Sequence, residues 1–278
     1  MKHCKECLSI YRSLNLIDLS SFETAERLRH KLEKLGYLVM AFVDLRSEDY
    51  LRVIKLFRKA CSNASRVSAL IYVSGHGFNN CHQDILVSID ARNILHENNH
   101  NNHCAQRLFG LSSLVNLFEN FVSSPEDNQK FSLICLWDLC RKQWVESSSV
   151  EEINQFYDID RLLNGTLDYS LLFSCNVGTS GYDLCQDRPD LDLKKGTIFT
   201  NLFLNNIDIS RNNNIHDIGV NINKDIDKLK KNEEFQVLSK LKYHSTLAPI
   251  DLSAKANNDK TFCMNVEKYY RKLSFFYS

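Results

Sequence analysis

FSLICLWDLCR, residues 131–141, decides how this chain is read. Phe131 to Trp137 is an almost unbroken apolar run, and polarity arrives abruptly with Asp138, Cys140 and Arg141. A short apolar run ending in polar residues suits a strand covered on both faces of a parallel sheet. In open α/β sheets reactive groups gather just beyond the carboxyl ends of the strands. Cys140 is therefore expected at a strand tip, with an acid two residues before it. Residues 67–78 repeat the design as VSALIYV followed by SGHGF. Two apolar strands thus end in a His between glycines, His76, and in Cys140. That is the pattern of a Cys–His nucleophilic pair, close in space but distant in sequence.

The flanking residues supply the rest of an α/β domain. Residues 20–35 predict a helix: Ser20 and Glu23 form a capping box, Ala25, Leu28, Leu32 and Leu35 share a face, and Gly36 stops it. Residues 37–43 predict a strand with Asp44 at its tip, and Ser47 caps a helix over 48–60. Residues 85–90 read as a short half-buried strand, 95–106 as a loop, and 111–122 as a helix stopped by Ser123-Ser124-Pro125. After the Cys140 strand come a polar loop with one short helix at 143–165, a buried strand at 169–174 and a charged loop at 185–196. Helices over 197–207 and 216–231 and a last strand over 236–243 complete the pattern. The alternation predicts one α/β domain over 20–252, a doubly wound, mostly parallel sheet with helices on both faces. A poorly defined segment, 1–19, precedes it, and a tail, 253–278, follows.

Bulk properties narrow the function. Thirty-four basic and thirty-four acidic residues cancel, so no global field draws the chain to nucleic acid or membrane. No apolar run reaches the roughly 18 residues that span a bilayer, and MKHCKEC is no secretory leader. A soluble cytoplasmic protein is expected. Of ten cysteines, Cys135 and Cys175 lie within apolar runs, which fits reduced thiols. His3, Cys4 and Cys7 lack a second pair at zinc spacing, and His96, His100, His103 and Cys104 sit in an Asn-rich stretch read as a solvated loop. Neither GxxxxGK[ST] nor GxGxxG after a strand occurs, which argues against a nucleotide site.

A Cys nucleophile needs a base to make or hold its thiolate. His76 is the candidate base, and the backbone N–H groups of Gly77 and Cys140 are candidate oxyanion donors. Asp44, Asp138 and Asp183 are expected at strand ends on the same edge. Clustered carboxylates repel and favour a cation, so they could line a pocket for Arg or Lys. The alternatives are solvated caps, or ion pairs with Arg141, Lys142 or Arg46.

SGHG after one strand and apolar-Asp-x-Cys-Arg after another resemble the caspase-like cysteine peptidases. Caspases carry Gln-Ala-Cys-Arg-Gly, and metacaspases share the Asp but continue Cys-His-Ser-Gly. Leu-Cys-Arg-Lys at 139–142 is most similar to the paracaspases of the MALT type, which cut after Arg. Phe-Val-Asp-Leu at 42–45, Val-Ser-Ile-Asp-Ala at 87–91, Lys-Gly-Thr-Ile-Phe at 195–199 and the segment 236–250 agree with the same family. The resemblance implies a cysteine endopeptidase with His76 and Cys140 as its dyad, and Asp44, Asp138 and Asp183 as Arg contacts. It implies that Val177, Gly178, Thr179, Ser180 and Gly181 pair with the substrate backbone. Protein substrates with Arg before the scissile bond, no cofactor or metal, and dimerisation through the edge near 236–243 are implied as well. Residues 1–10, MKHCKECLSI, are more polar than the family's apolar first strand. The alternative reading is a weakly active or inactive scaffold that keeps the fold and binds signalling partners.

Overall fold

The structure is a computed structural model that describes residues 21–42, 45–46, 49–50, 52–55, 57, 66–80, 83–87, 109–110, 130–141, 168–176, 178–207 and 214–245. Ser20, Asp44, Ser47, Val177, the helix expected at 111–122, the loops expected at 95–106 and 143–165, and the segments 1–19 and 253–278 lie outside these residues. So do the Cys4–Cys7 and His96–Cys104 groups.

The central sheet contains β1 (Arg66–Gly75), β5 (Lys130–Leu139), β6 (Asp168–Phe173) and β9 (Lys242–Ser245) in the order β1-β5-β6-β9. The first three are parallel, and β9 is antiparallel to β6. β2 (Gly77–Asn80), β3 (Gln83–Leu86) and β4 (Phe109–Gly110) form a second, antiparallel sheet. β7 (Asp183–Leu184) pairs with β8 (Gly196–Thr197). The helices are α1 (Ser21–Lys34), α2 (Ile198–Asn206) and α3 (Ile215–Leu229), and residues 49, 50, 52–55 and 57 are also helical.

Strand alternation sorts the core into two layers. Leu70, Tyr72, Ile134, Leu136 and Leu172 face α1, α2 and α3, where Leu28, Phe203, Ile215 and Ile222 are packed, together with Phe235 beyond α3. Val67, Ala69, Leu133, Cys135, Trp137, Leu139, Tyr169, Leu171 and Phe173 face the opposite way, against Ile54 and Leu86. The sheet is thus mostly parallel with helices on both faces, as its apolar strands imply. Among the described residues no helix is long and apolar enough to cross a membrane.

Local signals explain the helix ends. α1 stops at Gly36, whose φ of 92° suits a residue without Cβ, and Tyr37 N–H closes the turn on Leu32 C=O. Thr197 caps α2 by accepting from Thr200 N–H, and Asn214 caps α3 by accepting from His216 N–H.

Three expectations change. Residues 37–42 form no strand; Leu38 is exposed, while Tyr37 and Val39 pack against the helical layer. Residues 83–86 begin two positions before the expected strand and belong to the hairpin sheet. The last strand begins at Lys242 rather than 236. Phe235, Leu238 and Leu241 are buried from a short 3-10 turn and a coil, and Asn223 of α3 satisfies both Leu241 N–H (2.8 Å) and Leu241 C=O (3.3 Å). A side chain there does the work of a ladder.

Candidate active site

Register brings the two motifs together. β1 pairs with β5 residue by residue, ending at Ser74 opposite Asp138 and Gly75 opposite Leu139. The next residue on one strand is His76, and on the other Cys140. Neighbouring strands lie about 4.8 Å apart, so these two groups leave adjacent tips side by side. Cys140 is an unpaired, half-buried thiol. Cys135 and Cys175 are buried instead, and burial pushes their thiols up to about 12 and about 11, so they are inert at neutral pH.

The hairpin that follows His76 orients a backbone donor. Val87 N–H donates to His76 C=O at 2.9 Å, while Gly77 lies opposite Leu86. This makes Gly77–Leu86 a non-hydrogen-bonded pair, so Gly77 N–H turns away from β3. Gly77 must be glycine: a Cβ would sit 2.8 Å from Leu139 Cβ and 2.9 Å from Ile85 O. On the other strand, Arg141 N–H donates to Thr179 C=O (2.9 Å), and Gly178 N–H donates to Arg141 C=O (2.8 Å). Cys140 is thereby held between a ladder and a turn.

Asp138 lies on the helical face of β5 and is buried, 4% exposed. Its Oδ2 accepts from Thr197 (2.5 Å) and Thr200 (2.8 Å), with the Tyr72 hydroxyl at 3.3 Å. The Tyr72 hydroxyl also lies 2.9 Å from the Thr200 hydroxyl, which ties the two into one network on Asp138. Burial raises the Asp138 pKa, and the hydroxyls, Thr197 foremost, oppose that rise. Burial and the Asp138 charge in turn raise the Tyr72 pKa. Asp183 stands opposite Thr197 in the β7–β8 pair, so it joins the same edge one residue away from the Asp138 cluster. Its Oδ1 is shielded from solvent. Thr197 is itself braced by Asn201, whose Nδ2 donates to Thr197 C=O, and Arg27 of α1 bonds Asn201 Oδ1.

Arg141 does not pair with Asp138. Alternation sends it to the opposite face of the sheet, where it meets Asp84 of the hairpin. Gly178 and Thr179 use N–H and C=O respectively on Arg141, so these two groups are unavailable to a substrate. Ser180 and Gly181 make no hydrogen bond among the described residues, and a Cβ at Gly181 would sit 4.0 Å from the Leu139 carbonyl carbon. The tips therefore assemble His76, Gly77, Asp138, Cys140 and Gly181, with Asp183 adjoining. Asp44 and Val177 lie outside the described residues. Thr197, Thr200, Tyr72, Asp84 and Asn79 were not legible as site residues. Only the Thr at a helix cap carried a local signal.

Comparison with known proteins agrees with this fold. The caspase domain family matches residues 21–249. A crystal structure of caspase-1 from Spodoptera frugiperda is similar with a TM-score of 0.56 and 12% identity, covering 88% of this chain and 85% of that one. No curated protein matches by sequence. A family match over most of the chain, on a sheet whose adjacent tips carry the histidine and the cysteine, places this protein in the caspase domain family of cysteine peptidases.

Proposed function

We propose that the protein is an endopeptidase of the paracaspase type that cleaves after Arg. The observation that carries the specificity is Asp138. It is a buried carboxylate on the strand of the nucleophile, and its partners among the described residues are neutral hydroxyls. A substrate guanidinium would supply the missing counter-charge, and its planar fork can meet Asp138 and Asp183 together.

The chemistry follows from the tips. The Cys140 thiolate attacks the carbonyl carbon after the Arg side chain enters the pocket. The N–H groups of Gly77 and Cys140 meet the developing oxyanion. Protonated His76 gives its proton to the leaving amine, and a thioester remains on Cys140. His76 then takes a proton from water, whose oxygen attacks the thioester and releases the acid and the Cys140 thiolate beside protonated His76. Ser180 and Gly181 are the backbone groups suited to pair with the substrate. β9, an edge of the described sheet, would pair two copies.

The test is hydrolysis of matched peptides with Arg, Lys or Asp before the scissile bond. Arg is expected to be cleaved fastest, Lys more slowly and Asp not at all. Cys140→Ala is expected to lose at least ~10³-fold in kcat/KM. A preference for Asp would overturn the pocket. A second reading, a fold-retaining scaffold, is favoured by the coil over 37–42 where the sequence predicts a strand; a folded wild-type protein inert to all three peptides would support it.

A further inference from the structure

We propose that Arg141 and Asp84 are positioning residues for catalysis, a buried fork that sets the Cys140 backbone against the hairpin that follows His76. The proposal rests on the reading of Cys140 and His76 as the reacting pair. Arg141 Nε donates to Asp84 Oδ1 and an Arg141 Nη to Asp84 Oδ2, both at 2.8 Å. The two side chains are 3% and 1% exposed. Asn79, opposite Asp84 in the β2–β3 ladder, donates to Asp84 Oδ1 at 2.9 Å. The other Nη of Arg141 donates to Cys175 C=O at 3.1 Å, and the guanidinium lies 4.1 Å over the Phe173 ring.

One residue therefore links the β5 tip to the 178–179 turn, the end of β6 and the hairpin after His76. Its backbone joins the β5 tip to Thr179 and Gly178, beside the candidate substrate segment. Its guanidinium joins that tip to the end of β6 and to the hairpin that starts one residue after His76. The hairpin also holds His76 through Val87 N–H. The spacing of Cys140 N–H and Gly77 N–H, which must converge on one oxyanion, is thus set through this fork.

Stability alone does not explain such a pair. Two buried charges lose their hydration, and well-packed apolar residues of similar volume often serve stability as well or better. What an apolar pair lacks is direction: two parallel N–H to oxygen bonds fix distance and plane together. Errors of about 1 Å in a reacting geometry cost on the order of 10²-fold in rate.

The test compares wild type with Arg141→Lys and with the double variant Asp84→Leu/Arg141→Met. The measurements are kcat and KM on an Arg peptide, Tm, and the rate of iodoacetamide alkylation at the Cys140 peptide as a function of pH. Lys keeps the charge but not the fork. Both variants are expected to lose ~10–100-fold in kcat with KM changed by less than about threefold. The double variant is expected to do so with a near-native Tm, and alkylation of Cys140 is expected to change its pH profile in both. Wild-type kcat and an unchanged alkylation profile in folded Arg141→Lys would overturn the proposal, whatever the double variant does. Loss of activity matched by an equal loss of folded protein in both variants would also overturn it, by reducing the pair to a structural one. If Cys140→Ala retains the wild-type activity, the dyad reading itself falls; the alkylation profile at Cys140 reports on the fork independently of turnover.

Discussion

Thr197→Val isolates how the candidate pocket is held together. The Thr197 hydroxyl has two duties: it donates to Asp138 Oδ2 at 2.5 Å and accepts from Thr200 N–H at 3.3 Å as the cap of α2. Valine keeps the shape and loses both. A hydrogen bond to a charged group contributes about 1.5–3 kcal/mol, and a helix cap about 1 kcal/mol. The loss should total roughly 2.5–4 kcal/mol. At about 2–4 °C per kcal/mol for a domain of this size, Tm should fall by roughly 5–15 °C. Thermal unfolding followed by circular dichroism measures it, with Thr197→Ser as a control that keeps the hydroxyl and should stay within ~1 kcal/mol of wild type. Repeating Thr197→Val in an Asp138→Asn background completes a double-mutant cycle. There the charge-assisted bond is absent and the substitution should cost little more than the cap. A fall in Tm below ~2 °C, or a coupling energy below ~0.5 kcal/mol, would refute the claim that Thr197 holds the Asp138 carboxylate.

Gly77→Ala should reduce both stability and turnover, because its Cβ would meet Leu139 Cβ and the Ile85 carbonyl within 3 Å; overpacking costs about 1–3 kcal/mol, read by urea unfolding alongside peptide hydrolysis. His76→Ala should slow acylation by ~10²-fold or more and slow alkylation of Cys140 near neutral pH, whereas unchanged alkylation kinetics would make His76 structural. Asp138→Asn should cut kcat/KM for Arg peptides by ~10²-fold or more, since removing one partner of a buried ion pair costs about 3–5 kcal/mol, while alkylation of Cys140 stays intact. The same substitution should flatten a pH dependence. Burial raises the Asp138 pKa above its usual 3.8, so as pH rises the unfolded chain sheds this proton first, and the folded state loses stability from near that value up to the raised one. Tm plotted against pH should show this contribution in the wild type and lack it in Asp138→Asn.

Much of this protein is readable from short-range pattern. The strands ending at Gly75 and Leu139 show as apolar runs, and His76 and Cys140 stand out because polarity begins abruptly after each. α2 and α3 emerge within two residues of their expected ends because Thr197 and Asn214 act on neighbours two or three positions away. Alternation along FSLICLWDL is also enough to put Asp138 and Arg141 on opposite faces once the strand is granted. What no local pattern carries is the identity of distant partners. Arg141 could equally have met solvent; it meets Asp84 because a hairpin folds back over the β5 tip. Asp138 is surrounded by Thr197, Thr200 and Tyr72, three hydroxyls brought from one strand and one helix cap by the packing of α2 on the sheet. The last strand starts late for the same kind of reason: Asn223, on a helix, takes over the backbone of Leu241. Periodicity arises from each residue's bonds to its near neighbours and so is written along the chain, whereas these contacts exist only when separate elements close upon one another.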